Sequence, residues 1–101
     1  MPARPSTFIQ DGRKEVAVTG TAERLVATSL PCKEVIITAE DTNTGVIVVG
    51  TSTVVASAAT RRGTPLTAGA SLVLDVDDAF KVYLDTTVNT DGVTYIIVGG
   101  E

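Results

Sequence analysis

The sequence predicts an all-β fold, an antiparallel β-sandwich or jelly-roll-like barrel with an extended N-terminal arm. Three observations lead there. Runs dense in Val, Ile and Thr recur along the chain, each is closed by Gly, Pro, Asn or Asp, and no segment requires a helix. Short strands punctuated in this way suit two-layer or closed β architectures. At 101 residues the chain is one domain, long enough to bury a core without disulfide support.

Residues 1–12 hold Pro2, Pro5 and Gly12 and show no sustained period. They are read as an extended arm with Phe8 and Ile9 as its apolar anchors, ahead of a single β-sandwich domain at 13–101. Strands are predicted at 15–19, 24–28, 33–39, 46–49, 53–56, 71–76, 80–85 and 93–98. The stretch 31–50, PCKEVIITAEDTNTGVIVVG, is the most telling, with two apolar runs around a turn signal and no catalytic side chain between them. In 80–85, Phe80, Val82 and Leu84 alternate with Lys81, Tyr83 and Asp85, the pattern of a sheet with one wet face. Asn89, Asp91 and Gly92 tolerate the backbone of a tight reversal, so the last two strands are predicted to pair as a hairpin.

Two segments break the alternation. Val46, Ile47, Val48 and Val49 are apolar on both faces, and the run containing Tyr95, Ile96 and Val98 repeats the pattern. A sandwich of this size has one interior, so such strands need a second cover. Either another subunit supplies it, or the chain's own arm or its 57–70 connection does. The preferred reading is self-association, with those seven residues as the expected oligomer interface.

Composition removes several classes of chemistry. The chain has no His, no Trp and one cysteine, Cys32, so an internal disulfide and a zinc module are both excluded. Cys32 is read as a small buried hydrophobe. Without His, a Ser or Cys nucleophile would need Lys or an N-terminal amine as its base, and Lys14, Lys33 and Lys81 lie in no Ser-x-x-Lys motif. Asp75, Asp77 and Asp78 are the one carboxylate cluster. Ala79, Phe80 and Thr86 stand where a calcium loop needs a ligand, a glycine and a glutamate, so the cluster is read as a solvated turn. No catalytic residue, cofactor or metal is expected.

The four aromatic residues are too few for stacking nucleic-acid bases, and no apolar run reaches the roughly 18 residues of a membrane span. The net charge of −4 is uneven: residues 1–14 carry Arg4, Arg13 and Lys14 against Asp11, a local +2, leaving −6 for 15–101. An acidic body opposes binding to nucleic acid. Arg4, Arg13, Lys14, Arg61 and Arg62 are the candidate contacts to an acidic partner surface. The N-terminal residues do not read as a signal peptide, and synthesis and retention in a cytoplasm-like compartment are expected.

Taken together, 30–39 (LPCKEVIITA), 43–50 (NTGVIVVG), 63–76 (GTPLTAGASLVLDV), 81–85 (KVYLD) and 92–97 (GVTYII) resemble small virion structural proteins of tailed phages, the head-decoration, head-fibre and tail-associated β-domains. The resemblance spans about 24–98 and rests on core and turn positions, so it carries over no binding residues. It implies a module that does no chemistry, is assembled in the host cytoplasm and sits on the virion. A capsid decoration or cement protein on the outer capsid surface is the expected function, with the major capsid protein and itself as partners and a trimer preferred. A tail, collar or baseplate component and a carbohydrate-binding adhesin module are the alternatives; the absence of Trp weighs against the last.

Overall fold

The computed structural model describes residues 7–99. They form two antiparallel four-stranded sheets and one short 3-10 turn, Ala79–Lys81. The strands are β1 (Phe8–Glu15), β2 (Glu23–Arg24), β3 (Glu34–Ala39), β4 (Ile47–Gly50), β5 (Thr64–Leu66), β6 (Ser71–Leu74), β7 (Tyr83–Thr86) and β8 (Gly92–Gly99). Sheet A has the order β1-β8-β3-β6 and sheet B the order β2-β7-β4-β5. Every connection except that from β4 to β5 passes from one sheet to the other.

Alternation explains the core. Val35, Ile37 and Ala39 of β3 and Val93 and Ile97 of β8 point inward from sheet A, against Ile47 and Val49 of β4, Leu66 of β5 and Leu84 of β7 from sheet B. All are buried. Burial of a Val, Leu or Ile side chain is worth roughly 1.5–3 kcal/mol, so this shared layer is the main cohesive force between the sheets.

The second apolar face of β4 is also filled, and by the same chain. Val48 points away from the core and is fully buried against Val54 and Ala56, with Ala22, Val46 and Tyr83 packed around them. The segment after β4 therefore folds back across the outer face of sheet B. Ile47, Val48 and Val49 need no second subunit to cover them, which removes the reason for placing them in an interface. Nor is the other face of 80–85 wet throughout: Lys81 is exposed and Tyr83 half-buried, but Asp85 lies under the same segment and is 1% exposed.

Asp85 fastens that cover. Its Oδ1 accepts the backbone N–H of Gly20, at 2.9 Å, and of Thr86, at 2.8 Å, while its Oδ2 accepts the N–H of Ala56 at 2.8 Å. One carboxylate thus joins the β1–β2 connection and the β4–β5 connection to β7. Arg61 closes the second of these on itself, its guanidinium donating twice to the Ala56 carbonyl at 2.9 and 3.0 Å.

Several expected elements are shifted. The last two strands do not pair: β7 lies between β2 and β4 in sheet B, and β8 between β1 and β3 in sheet A, so the 87–91 turn crosses the sandwich instead of closing a hairpin. The expected strand at 15–19 is replaced by β1, which starts at Phe8 and pairs with β8 along its whole length. Five residues assigned to the arm, Phe8 to Gly12, are thus sheet, and an extended arm reaching residue 12 is not supported. Residues 1–6 lie outside the described residues. In place of a strand at 53–56 there is a single bridge between Val55 and Arg62, and β5 stands where none was expected.

Two tests follow from this packing. Gly63 has φ +116, and a Cβ there would lie 2.5 Å from the Val49 carbonyl oxygen, whereas Gly20, at φ +81, has open space around it. Gly63→Ala should cost about 2–3 kcal/mol and Gly20→Ala about 1 kcal/mol, read as shifts of the urea midpoint. Asp85→Ala orphans the N–H groups of Gly20 and Ala56, and at roughly 1–3 kcal/mol for each unsatisfied donor it should lower stability by about 3 kcal/mol or more.

Candidate functional site

The acidic cluster is dispersed by its own turn. Asp78 faces inward to the chain, capping the 3-10 turn through the Phe80 N–H at 2.9 Å and holding the Leu30 N–H at 2.8 Å and the Ser29 hydroxyl. Asp77 pairs with Lys81 at 2.7 Å, and Asp75 is exposed. Among the described residues no three His, Cys, Asp or Glu side chains converge in a metal-binding arrangement. Cys32 is half-buried, and its Sγ lies 3.3 Å from the Val76 carbonyl. Burial, aided by Asp78, pushes its thiol pKa up and disfavours the thiolate.

Carboxylates serve the same purpose elsewhere. Asp91 accepts the Gly45 N–H at 2.7 Å and the Thr44 N–H at 3.3 Å, fixing the turn before β4. Glu23 accepts the Ala17 N–H at 2.9 Å and pairs with Lys14 at the same distance. Burial pushes the Glu23 carboxyl up, but the hydrogen bond and charge of Lys14, with the Val18 and Ala17 N–H groups, prevail and leave it lowered.

The basic residues expected to contact a partner are mostly engaged within the chain. Arg13 donates to Glu40, Nη2 to Oε1 at 3.0 Å, across the outer face of sheet A, and its pKa is raised first by that hydrogen bond. Lys14 is held by Glu23, and Arg61 by the Ala56 carbonyl. Arg62 is exposed, and Arg4 lies outside the described residues. Sequence reading missed Arg24, whose guanidinium stacks 3.6 Å above the Phe80 ring and 4.7 Å from that of Tyr83. The 56 residues between Arg24 and Phe80 leave no local pattern to reveal the stack.

What remains open is the outer face of sheet A. Register places Asp11, Ile96, Ile36 and Val73 in one row across β1, β8, β3 and β6, and Ile9, Val98 and Glu34 in the next. Ile9 is 76% exposed, Val73 53% and Ile96 41%, while Ile36 and Val98 are half-buried. Five aliphatic side chains thus share a surface that no segment covers among the described residues. Of the expected interface residues, Ile96 and Val98 belong to this surface. Tyr95 faces inward over Gly12, and Val46 packs on the small cluster around Val48. A cleft of about 690 Å³ lies on the opposite side of β1, between Gln10, Lys14 and Tyr95 and the 24–30 loop.

Asp78 sets the sign of one pH effect. The Ser29 hydroxyl, then the Phe80 and Leu30 N–H groups, hold its carboxyl below the usual range. A depressed carboxyl contributes stability above its unfolded pKa, about 4, and that contribution is lost as the pH falls through the folded value. Asp78→Asn should therefore give a shallower loss of stability on acidification, seen in urea midpoints measured between about pH 6 and pH 2.5. Comparison of the chain with protein-family models, with curated proteins and with solved structures finds no match.

Proposed function

We propose that this chain is a non-enzymatic virion structural protein, a capsid decoration or cement protein that docks on the outer capsid lattice through the outer face of sheet A. The observation that carries the reading is the patch of exposed aliphatic side chains, Ile9 in one row and Val73 and Ile96 in the next, on a rigid sheet whose opposite partner is sealed by the chain itself. Apolar surface gathered on one sheet face marks an interaction site more often than scattered exposure does. The strand orders β1-β8-β3-β6 and β2-β7-β4-β5 are those of an eight-stranded jelly roll, an architecture that viral capsid and lectin domains use. That likeness is one of fold, and it supports the reading only alongside the sequence resemblance.

The described carboxylates with partners serve as acceptors for loop N–H groups or pair with Lys and Arg, an arrangement suited to a scaffold. Lattice attachment does not require a large interface per copy, since contacts to adjacent subunits raise the effective concentration of each. A position on the tail, collar or baseplate would use the same face on a different lattice.

Ile96→Lys, which sets an ammonium opposite Asp11, and Val73→Asp test the surface. Both positions are exposed, so the variants should keep the wild-type urea midpoint within about 0.5 kcal/mol while binding to particles weakens roughly tenfold or more in co-sedimentation. Ile47→Asp, fully buried in the core, should instead unfold the domain. Particle binding unchanged in both surface variants would remove sheet A as the docking face. Labelling the protein in the intact virion distinguishes head from tail, and glycan binding by the isolated domain would favour a lectin.

A further inference from the structure

We infer that the free edge of β1 pairs antiparallel with the same edge of a second copy, about a two-fold axis at Gly12, to make one eight-stranded sheet from two copies of sheet A. The proposal concerns a different surface from the docking face, and it stands whether or not the chain binds capsids.

The four sheet edges are unequal. β2 has two residues, β5 has three including Pro65, and β6 has four, all short enough to offer little to another strand. β1 has eight, without proline. The backbone bonds show which of its groups are free. Val98 and Gly92 direct their carbonyls to Lys33 and Glu40 on the β3 side, so the alternate residues Val93, Tyr95, Ile97 and Gly99 bond β1. Their partners in β1 are Lys14, Gly12, Gln10 and Phe8. Ile9, Asp11, Arg13 and Glu15 therefore aim their N–H and C=O groups at the open edge, and among the described residues none of these groups has a partner.

Overlap and charge together select the register, because among axes on β1 only one at Gly12 pairs all four edge-facing residues of both copies. A two-fold axis at Gly12 sets Asp11 opposite Arg13 of the second copy, twice, and Ile9 opposite Glu15, twice. Each opposed pair consists of residues whose backbone groups face the edge, so the hydrogen-bond alternation closes. Moving the axis by one residue sets Asp11 against Asp11 or Arg13 against Arg13, like charges that disfavour the pairing. A register that opposes odd to even residues would set an inward side chain against an outward one. Asp11 has no ion-pair partner among the described residues, and Arg13, whose Nε and Nη2 are engaged with Glu40 and Glu15, keeps the Nη1 donors for a further carboxylate. Gly12 presents no side chain at the axis. The arrangement is a dimer, a different symmetry from the trimer expected from sequence, and it joins the aliphatic outer faces of both copies into one surface.

The interface is small, and a Kd on the order of 10–100 µM is expected in sedimentation equilibrium. Asp11→Arg sets Arg against Arg twice, and Arg13→Asp sets Asp against Asp twice, so each variant alone should dimerise roughly tenfold more weakly. Mixed together they should recover the wild-type affinity as a heterodimer, since both opposed pairs then join a guanidinium of one variant to a carboxylate of the other. Amide hydrogen exchange gives a readout that does not depend on the variants folding: in the wild type the amides of Ile9, Asp11, Arg13 and Glu15 should become protected as concentration rises, while those of β6 do not. A wild-type chain that stays monomeric tenfold above the expected Kd overturns the proposal. So do a dimer indifferent to both charge variants, folded variants that fail to recover on mixing, and edge amides whose protection is independent of concentration.

Discussion

A single buried carboxylate decides how this small sandwich distributes its surfaces. Asp85 lies on the outward side of β7, where an antiparallel sheet ordinarily meets water, yet it is almost wholly enclosed. Its enclosure is tolerable because three backbone N–H groups converge on its two oxygens. Those donors belong to segments far apart in the chain, so satisfying the carboxylate also draws two connections onto sheet B. Val48, Val54 and Ala56 then pack beneath the segment that Asp85 holds. The polar tie and the apolar cluster support each other, since neither the connection nor the carboxylate would be stable in that position without the other.

The result is an asymmetric object. Among the described residues, sheet B is covered on both sides by its own chain, while sheet A is covered on one. The same logic recurs at smaller scale in Asp78, Asp91 and Glu23, each of which gathers N–H groups from a loop at the sandwich margins. Much of the acidic character of the chain therefore has a local structural use. It answers the shortage of regular pairing in connections that must cross from sheet to sheet, where backbone donors would otherwise be left without acceptors.

Strands with one dominant environment were legible in the sequence. The segments 33–39, 46–49 and 93–98 match β3, β4 and β8 closely because much of their Val and Ile content is buried, while 71–76 matches β6 through its aliphatic run of Leu72, Val73 and Leu74. β1 was hidden because Phe8–Glu15 is an edge strand with much of its length in water, so its polar residues mimic an arm. The β7–β8 reversal misled for another reason. Turn residues specify a change of direction but not whether the strands they join share a sheet, and in this fold nearly every connection changes sheet. The two-sided apolarity of 46–49 correctly required a second cover, while the tie that holds that cover, a carboxylate 37 residues beyond Val48, has no sequence signature. Of the expected contact residues, Arg13 and Lys14 were visible as charges, but their partners Glu40 and Glu23 are set by the fold.

The outer face of sheet A sets its aliphatic rows beside a polar one. Its aliphatic rows are bounded by Thr94, Thr38 and Ser71, the last two hydrogen-bonded to each other, and by the Arg13–Glu40 pair that spans the sheet. That single polar row borders the band of apolar side chains on one side. Because the band is built on paired strands and backed by the core, a partner that meets it need not order it first, and so little conformational entropy opposes docking. A flexible loop of the same composition would lose that advantage on binding. On the proposed docking reading, the location of the exposed aliphatics on the sheet matters more than their number.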